Sequence, residues 1–245
     1  MSGTYSRGWL LRAGGAAALA GALDVRPAAA QVAVSPGAST LATYIAATLD
    51  RDIPPDVVAN AKLHIRDTFA AMISGSRLKP GRLGARDVEA LGGKPQATVA
   101  GTHIVTSVVN AAFANGMAAH ADETDDTNPI GPFHPGCAAV PAALATGEIA
   151  GRTGSDLLRA VTLGYDVGAR VTAALGIDDS SKRLSPAAVP MTMGAAATAA
   201  AMLRLDEHQV RYVLAYAMQQ ISGTAIWKRD TEHIEKAFDF AAMPA

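Results

Sequence analysis

The chain contains one cysteine, Cys137, which excludes an internal disulfide and any zinc centre built from several thiolates. Aromatic residues make up only 5% of its 245 residues, so the core must be filled by Ala, Leu, Val, Ile and Met. Such small side chains let helices approach closely. Charge is also sparse, at 18% of residues with a net charge of −1. A balance so close to neutral lacks the basic face that a nucleic-acid partner needs to neutralise phosphates. The N-terminal apolar run is too short to span a bilayer. What the chain does have is 49% hydrophobic residues, enough to bury the core of one large domain or two small ones.

Residues 1–30 read as a targeting segment. Arg7 and Arg12 bracket the start of an apolar run from Ala13 to Leu23, and Ala28, Ala29 and Ala30 form a small-residue end suited to cleavage. The pattern is a degenerate twin-arginine signal, with one arginine where a pair is expected. It predicts a periplasmic protein if the signal works and a cytoplasmic one otherwise.

From about Thr40 the periodicity is helical. Val58, Ala61, Ile65, Phe69 and Met72 form one apolar stripe, opened by Pro54 and Pro55 and closed by Gly75 as a stop. Further helices are predicted over 79–93, 107–120 and 136–149. Another carries Leu157, Val161, Gly164 and Gly168, the glycines marking close packing against a neighbour. Pro190 interrupts the next segment, which resumes over 194–203. Asp206 with Gln209 reads as a capping box for a last long helix buried through Val210, Val213, Leu214, Ala217 and Ile221. Residues 97–101 form the one β-like run, too little for a sheet. The expectation is an all-α domain of about eight helices over residues 38–245.

Chemistry concentrates between His120 and His134, a loop-prone stretch that also holds Asp122, Glu123, Asp125 and Asp126 between alanine-rich flanks. Its two histidines and four carboxylates allow three readings. A metal site would suit zinc, manganese or iron, but neither H-E-x-x-H nor calcium-loop spacing is present. Metal-free acid–base catalysis uses the same residue types, with neighbouring carboxylates pushing one another's pKa values apart. The bland reading is a solvated acidic loop whose aspartates cap helices. Cys137 lacks the histidine-plus-acid pattern of a thiol enzyme and reads as a small buried residue.

The run His120-Ala121-Asp122-Glu123-Thr124-Asp125-Asp126-Thr127 followed by His134-Pro135 resembles the central motif of the MmgE/PrpD family. Residues 62–75, 110–120, 141–144 and 164–167 resemble its helices in order, and Lys236 resembles the lysine of a later segment. The resemblance implies a large helical domain with a smaller α+β lid domain, which this chain would lack. It also implies homodimers, or a partner chain that supplies the lid. The implied activity is a lyase acting on small di- or tricarboxylates without metal or other cofactor. Dehydration of the 2-methylcitrate type is expected ahead of decarboxylation of the cis-aconitate type. A non-catalytic fragment, or half of a split enzyme, is the alternative.

Carried over by position, the resemblance puts the active-site carboxylate at Glu123, where aspartate is commoner. Thr127, His134 and Lys236 complete the catalytic set, with Lys236, Thr127 and Ser185 facing substrate. His120, Asp125 and Asp126 are expected to support the loop. Two departures stand out: His134 lies one residue further from Thr127 than in close relatives, and Ser185 stands where the family commonly has a histidine.

Overall fold

Alanine and glycine decide how closely these helices pack, and close packing brings the two ends of the site together. The computed structural model describes residues 34–131, 133–176, 185, 187–221 and 223–245. The expected signal segment, residues 1–30, lies outside the described residues apart from any question of its function. Residues Pro36–Ala245 pack as one unit.

In chain order the helices are α1 (Pro36–Ala46), α2 (Pro55–Gly75), α3 (Lys79–Leu91), α4 (Val108–Ala119), α5 (Pro135–Ala150), α6 (Gly154–Leu175), α7 (Ala188–Met202), α8 (Glu207–Gln220) and the short α9 (Ile234–Ala237). Single turns of 3-10 helix occur at Thr48–Asp50 and Ala225–Arg229, and a π-helical turn, Phe238–Ala242, follows α9. The all-α expectation is met. Residues 97–101 are not a lone strand, however: β1 (Ala97–Thr98) pairs antiparallel with β2 (Val105–Thr106). This small hairpin is fastened to α5, where the Glu148 carboxylate accepts from the Thr98 amide (3.1 Å) and hydroxyl (2.8 Å).

The caps follow the sequence signals. Thr153 with Asp156 and Asp206 with Gln209 form capping boxes that open α6 and α8, and the Ser107 hydroxyl accepts from Asn110 at the start of α4. Two expectations need correction. Pro190 does not interrupt a helix but sits in the first turn of α7, where a missing N–H costs nothing. Gly75 is not a left-handed stop; it is the last helical residue of α2, and a Cβ there would collide with the Ala118 carbonyl of α4.

The same logic builds the centre. A Cβ on Gly194 of α7 would lie 2.6 Å from the Gly164 carbonyl of α6, so these two helices touch backbone to backbone. Thr198 of α7 donates to the Ala160 carbonyl of α6 (3.1 Å), satisfying a hydroxyl in a fully buried seam. The main core combines Met72, Phe133, Val140, Leu163, Met191 and Met202 with many alanines. Gly116 of α4 matters most for function. A Cβ there would meet the backbone of Ala241 at 2.8 Å, so only glycine lets the π-helical turn lie on α4. That contact carries Lys236 and Phe240 to His120, the residue that closes α4. Among the described residues, no helix is long and apolar enough to cross a membrane. On the outward side of α8, Tyr212, Tyr216 and Met218 are exposed.

Candidate active site

His120 is completely buried, and its Nδ1 lies 2.8 and 2.9 Å from the two oxygens of Asp125, itself buried. Burial works to raise the Asp125 carboxyl, but the hydrogen bond and charge of His120, helped by His134 and the Cys137 thiol, outweigh it. The carboxyl is held below its usual range. An ionised carboxylate only accepts, so the His120 Nδ1 carries the proton and Nε2 faces inward. That Nε2 is buried with no hydrogen-bond partner.

Asp126 performs a different task. Its Oδ2 accepts from the Tyr165 hydroxyl (2.7 Å) and lies 2.7 Å from His64 Nδ1, while Oδ1 accepts from the Gly136 amide (3.2 Å). It therefore caps α5 and ties the loop to α2 and α6. Burial, then the nearby Asp126 charge, pushes the Tyr165 hydroxyl far up, so it serves only as a donor. Sequence reasoning missed His64 and Tyr165 because each lies on an ordinary helical face. An open hollow of about 580 Å³ adjoins Asp126 and His64, but Glu123 and Lys236 do not line it.

His134 is largely buried, and its Nδ1 donates to the Asp126 carbonyl (3.0 Å). Its Nε2 then points toward Glu123, 3.8 Å from Oε2. Burial, followed by opposition from Asp125 and reinforcement from His120 and Lys236, leaves its pKa below the ordinary histidine value. Cys137 is buried and donates to the His134 carbonyl. Burial and the Asp125 charge push its thiol well up, in keeping with an inert packing role.

The decisive contact crosses the chain. The Lys236 ammonium pairs with Oε1 of Glu123, 113 residues earlier in sequence. It also sits over the Trp227 ring (5.0 Å) and the Phe240 ring (5.1 Å). Burial works to raise the Glu123 carboxyl, but the hydrogen bond and charge of Lys236, with help from His120 and His233, hold it below its usual value. Glu123 has a left-handed backbone (φ +61°), which re-aims its side chain out of the loop.

Around this pair stand three imidazoles and one phenyl ring. His120 lies 4.7 Å from His134, 5.1 Å from His233 and 5.5 Å from Phe240, onto which it stacks. His233 is the residue that sequence reasoning missed entirely; it precedes Lys236 by less than one helical turn, and nothing in the local pattern marks it.

Of the expected residues, Glu123, His134 and Lys236 come together, with His120 and Asp125 beneath them. Thr127 and Ser185 do not join them. Thr127 is exposed, and its side chain has no hydrogen-bond partner among the described residues. Ser185 is only 2% exposed, and its amide donates to the Gly223 carbonyl (2.6 Å). Its side chain lies near Asp239. The Ser185 hydroxyl is near enough to Asp239 to oppose the upward shift slightly, but not in hydrogen-bond geometry.

Burial pushes the Asp239 carboxyl up to about 6. A carboxyl with a raised folded-state pKa stabilises the fold below its unfolded value, near 4, and loses that contribution as pH rises through about 6. Replacing Asp239 with Asn should therefore raise Tm at pH 7.5 and leave it nearly unchanged at pH 4. Melting curves at both pH values check this, and an equal effect at both would refute it.

Two groups bring one ligand atom from each residue to within 4.8 Å of one another: His120, Asp125 and His134, and His120, Glu123 and His233. In the first, Asp125 is already committed to an imidazole N–H. In the second, the Lys236 ammonium already supplies positive charge at Glu123. The geometry thus suits an anion bound at Lys236 and protons moved through imidazole.

The human cis-aconitate decarboxylase is 32% identical over 169 residues, covering 66% of this chain and 35% of that protein. The cis-aconitate decarboxylase-like protein oryM of Aspergillus oryzae is 26% identical over 208 residues, covering 81% of this chain and 43% of that protein. The chain thus spans less than half the length of these curated relatives. The MmgE/PrpD N-terminal domain profile matches residues 39–245, a stretch that carries the acidic loop, the three imidazoles and Lys236 alike, and the chain belongs to the MmgE/PrpD family.

Proposed function

We propose that the chain forms the helical part of a lyase that removes water or CO2 from a small di- or tricarboxylate, using its own side chains. One observation carries this reading: a lysine ammonium, paired with a carboxylate and enclosed by aromatic rings, faces a group of buried imidazoles. A substrate carboxylate would displace Glu123 from Lys236, because both are anions competing for one cation. Fixed charges in a partly enclosed site act more strongly than in water. Glu123 and His134 then lie beside the reacting carbon. Thr127, exposed and unpaired on the loop, is free to donate to a substrate oxygen.

Dehydration of a 2-methylcitrate-like acid is the first reading. Decarboxylation is the second, favoured by the names of the two relatives above. Both move a proton at a carbon next to a carboxylate, so one site serves either. A second copy, or a partner chain covering the cleft, would strengthen the site by excluding water.

The test is direct. The purified chain, alone and co-expressed with any lid-encoding neighbour, is assayed with 2-methylcitrate and cis-aconitate by monitoring product and CO2. Turnover of either supports the reading and separates the two reactions. Turnover of neither, with no thermal shift from tricarballylate, would make the chain a non-catalytic fragment.

A further inference from the structure

His233 has a left-handed backbone, φ +60°, although it is not glycine. Among the described residues only Glu123 and Arg204 share that conformation. Two of these three strained residues meet: His233 Nδ1 lies 3.7 Å from Glu123 Oε1. Strain of this kind persists only where the surroundings hold it in place, and it gathers at functional sites. The His233 Nε2 is buried with no hydrogen-bond partner. A buried polar atom left unsatisfied calls for an occupant.

Each of the other two imidazoles has one nitrogen already in a hydrogen bond. His120 is fully enclosed and donates to Asp125. His134 donates to the Asp126 carbonyl. Glu123 accepts from the Lys236 ammonium in the unliganded site. His233 alone of the three imidazoles has neither nitrogen in a hydrogen bond, and it stands beside the ammonium that would hold a substrate carboxylate.

We propose that His233 is a catalytic residue of this site, the imidazole that accepts the proton from the substrate carbon adjacent to the carboxylate bound at Lys236. The proposal rests on the lyase reading above. In dehydration, the C–H proton passes to His233 and its electron pair becomes the C=C bond as the C–O bond breaks. The departing hydroxide takes the proton back from the imidazolium and leaves as water, with His233 neutral again. Burial first, then the neighbouring His120 and Lys236, lower the His233 pKa against the opposing pull of Glu123 and Asp230. The imidazole is therefore unprotonated at neutral pH, as a base must be.

The test uses His233→Asn and His233→Gly in the full chain. Asparagine tolerates positive φ and glycine adopts it freely, so both variants keep the backbone and fold. Both should bind tricarballylate within about threefold of wild type and lose about 10²- to 10⁴-fold in kcat with little change in KM. Added imidazole should restore part of the His233→Gly activity. A turn residue with no chemical role would leave kcat within about threefold in both variants, which overturns the proposal. Loss of tricarballylate binding equal to the loss of kcat, or stoichiometric Zn²⁺ that disappears in His233→Asn, overturns it as well. A wild type that turns over neither acid removes the lyase reading itself; an active wild type with active variants removes only the role of His233.

Discussion

Replacing Asp125 with alanine should cost about 3–5 kcal/mol of folding stability, the range for removing one partner of a buried ion pair or charge-assisted pair. Both side chains are shielded from solvent, and His120 Nδ1 has no other acceptor. The substitution strands the N–H beneath three other rings and empties the volume under the loop. For a domain of this size the shift should be on the order of 10 °C in Tm. Denaturant midpoints for Asp125→Ala, His120→Leu and the double variant check the cause. If the loss comes from the stranded partner, Asp125→Leu combined with His120→Leu should recover a large part of it, because apolar replacements of buried pairs are often neutral. A change below about 1 kcal/mol for Asp125→Ala would mean that the pair does not hold the loop.

Lys236→Ala should leave the fold nearly intact and abolish recognition of polycarboxylates. The Lys236–Glu123 pair is partly open on the Glu123 side, so its loss costs little stability. Binding is different, because among the described residues Lys236 is the one lysine or arginine paired with Glu123. Losing a charge-assisted contact to a substrate carboxylate should weaken binding about 10²- to 10³-fold, equivalent to about 3–4 kcal/mol. The measurement is thermal shift or calorimetry with tricarballylate on wild type, Lys236→Ala and Lys236→Arg. Wild-type affinity in Lys236→Ala would detach the lysine from the anion site. The pH response offers a second check. Glu123 has a depressed folded-state pKa, so its stabilising contribution is present above its unfolded value and disappears as pH falls through the folded one. The small stability difference between wild type and Lys236→Ala should therefore be visible at pH 7 and vanish in acid.

Much of this was legible from residue order because the relevant forces are local. Apolar spacing set the faces of α2 and α8, and Thr153–Asp156 and Asp206–Gln209 fixed helix starts through side chains three residues apart. The acidic loop stood out by composition, and Glu123, His134 and Lys236 were expected to converge. Less was legible where a residue's role depends on a distant neighbour. Gly75 read as a stop, yet its purpose is the carbonyl of Ala118. Ser185 was expected to face substrate, and the sequence did not show that it is buried with its amide on the Gly223 carbonyl.

The sequence by itself determined the helical class, the family and the segment where ionisable side chains concentrate, because periodicity, caps and a dense charged motif are properties of neighbours along the chain. Only the tertiary structure decided which side chains share the pocket. Gly116 admits the backbone of Ala241, and that approach brings Lys236 to Glu123 and His233 to His120. The physical reason is range: a hydrogen bond or an ion pair acts over a few ångströms of space, however many residues separate its partners.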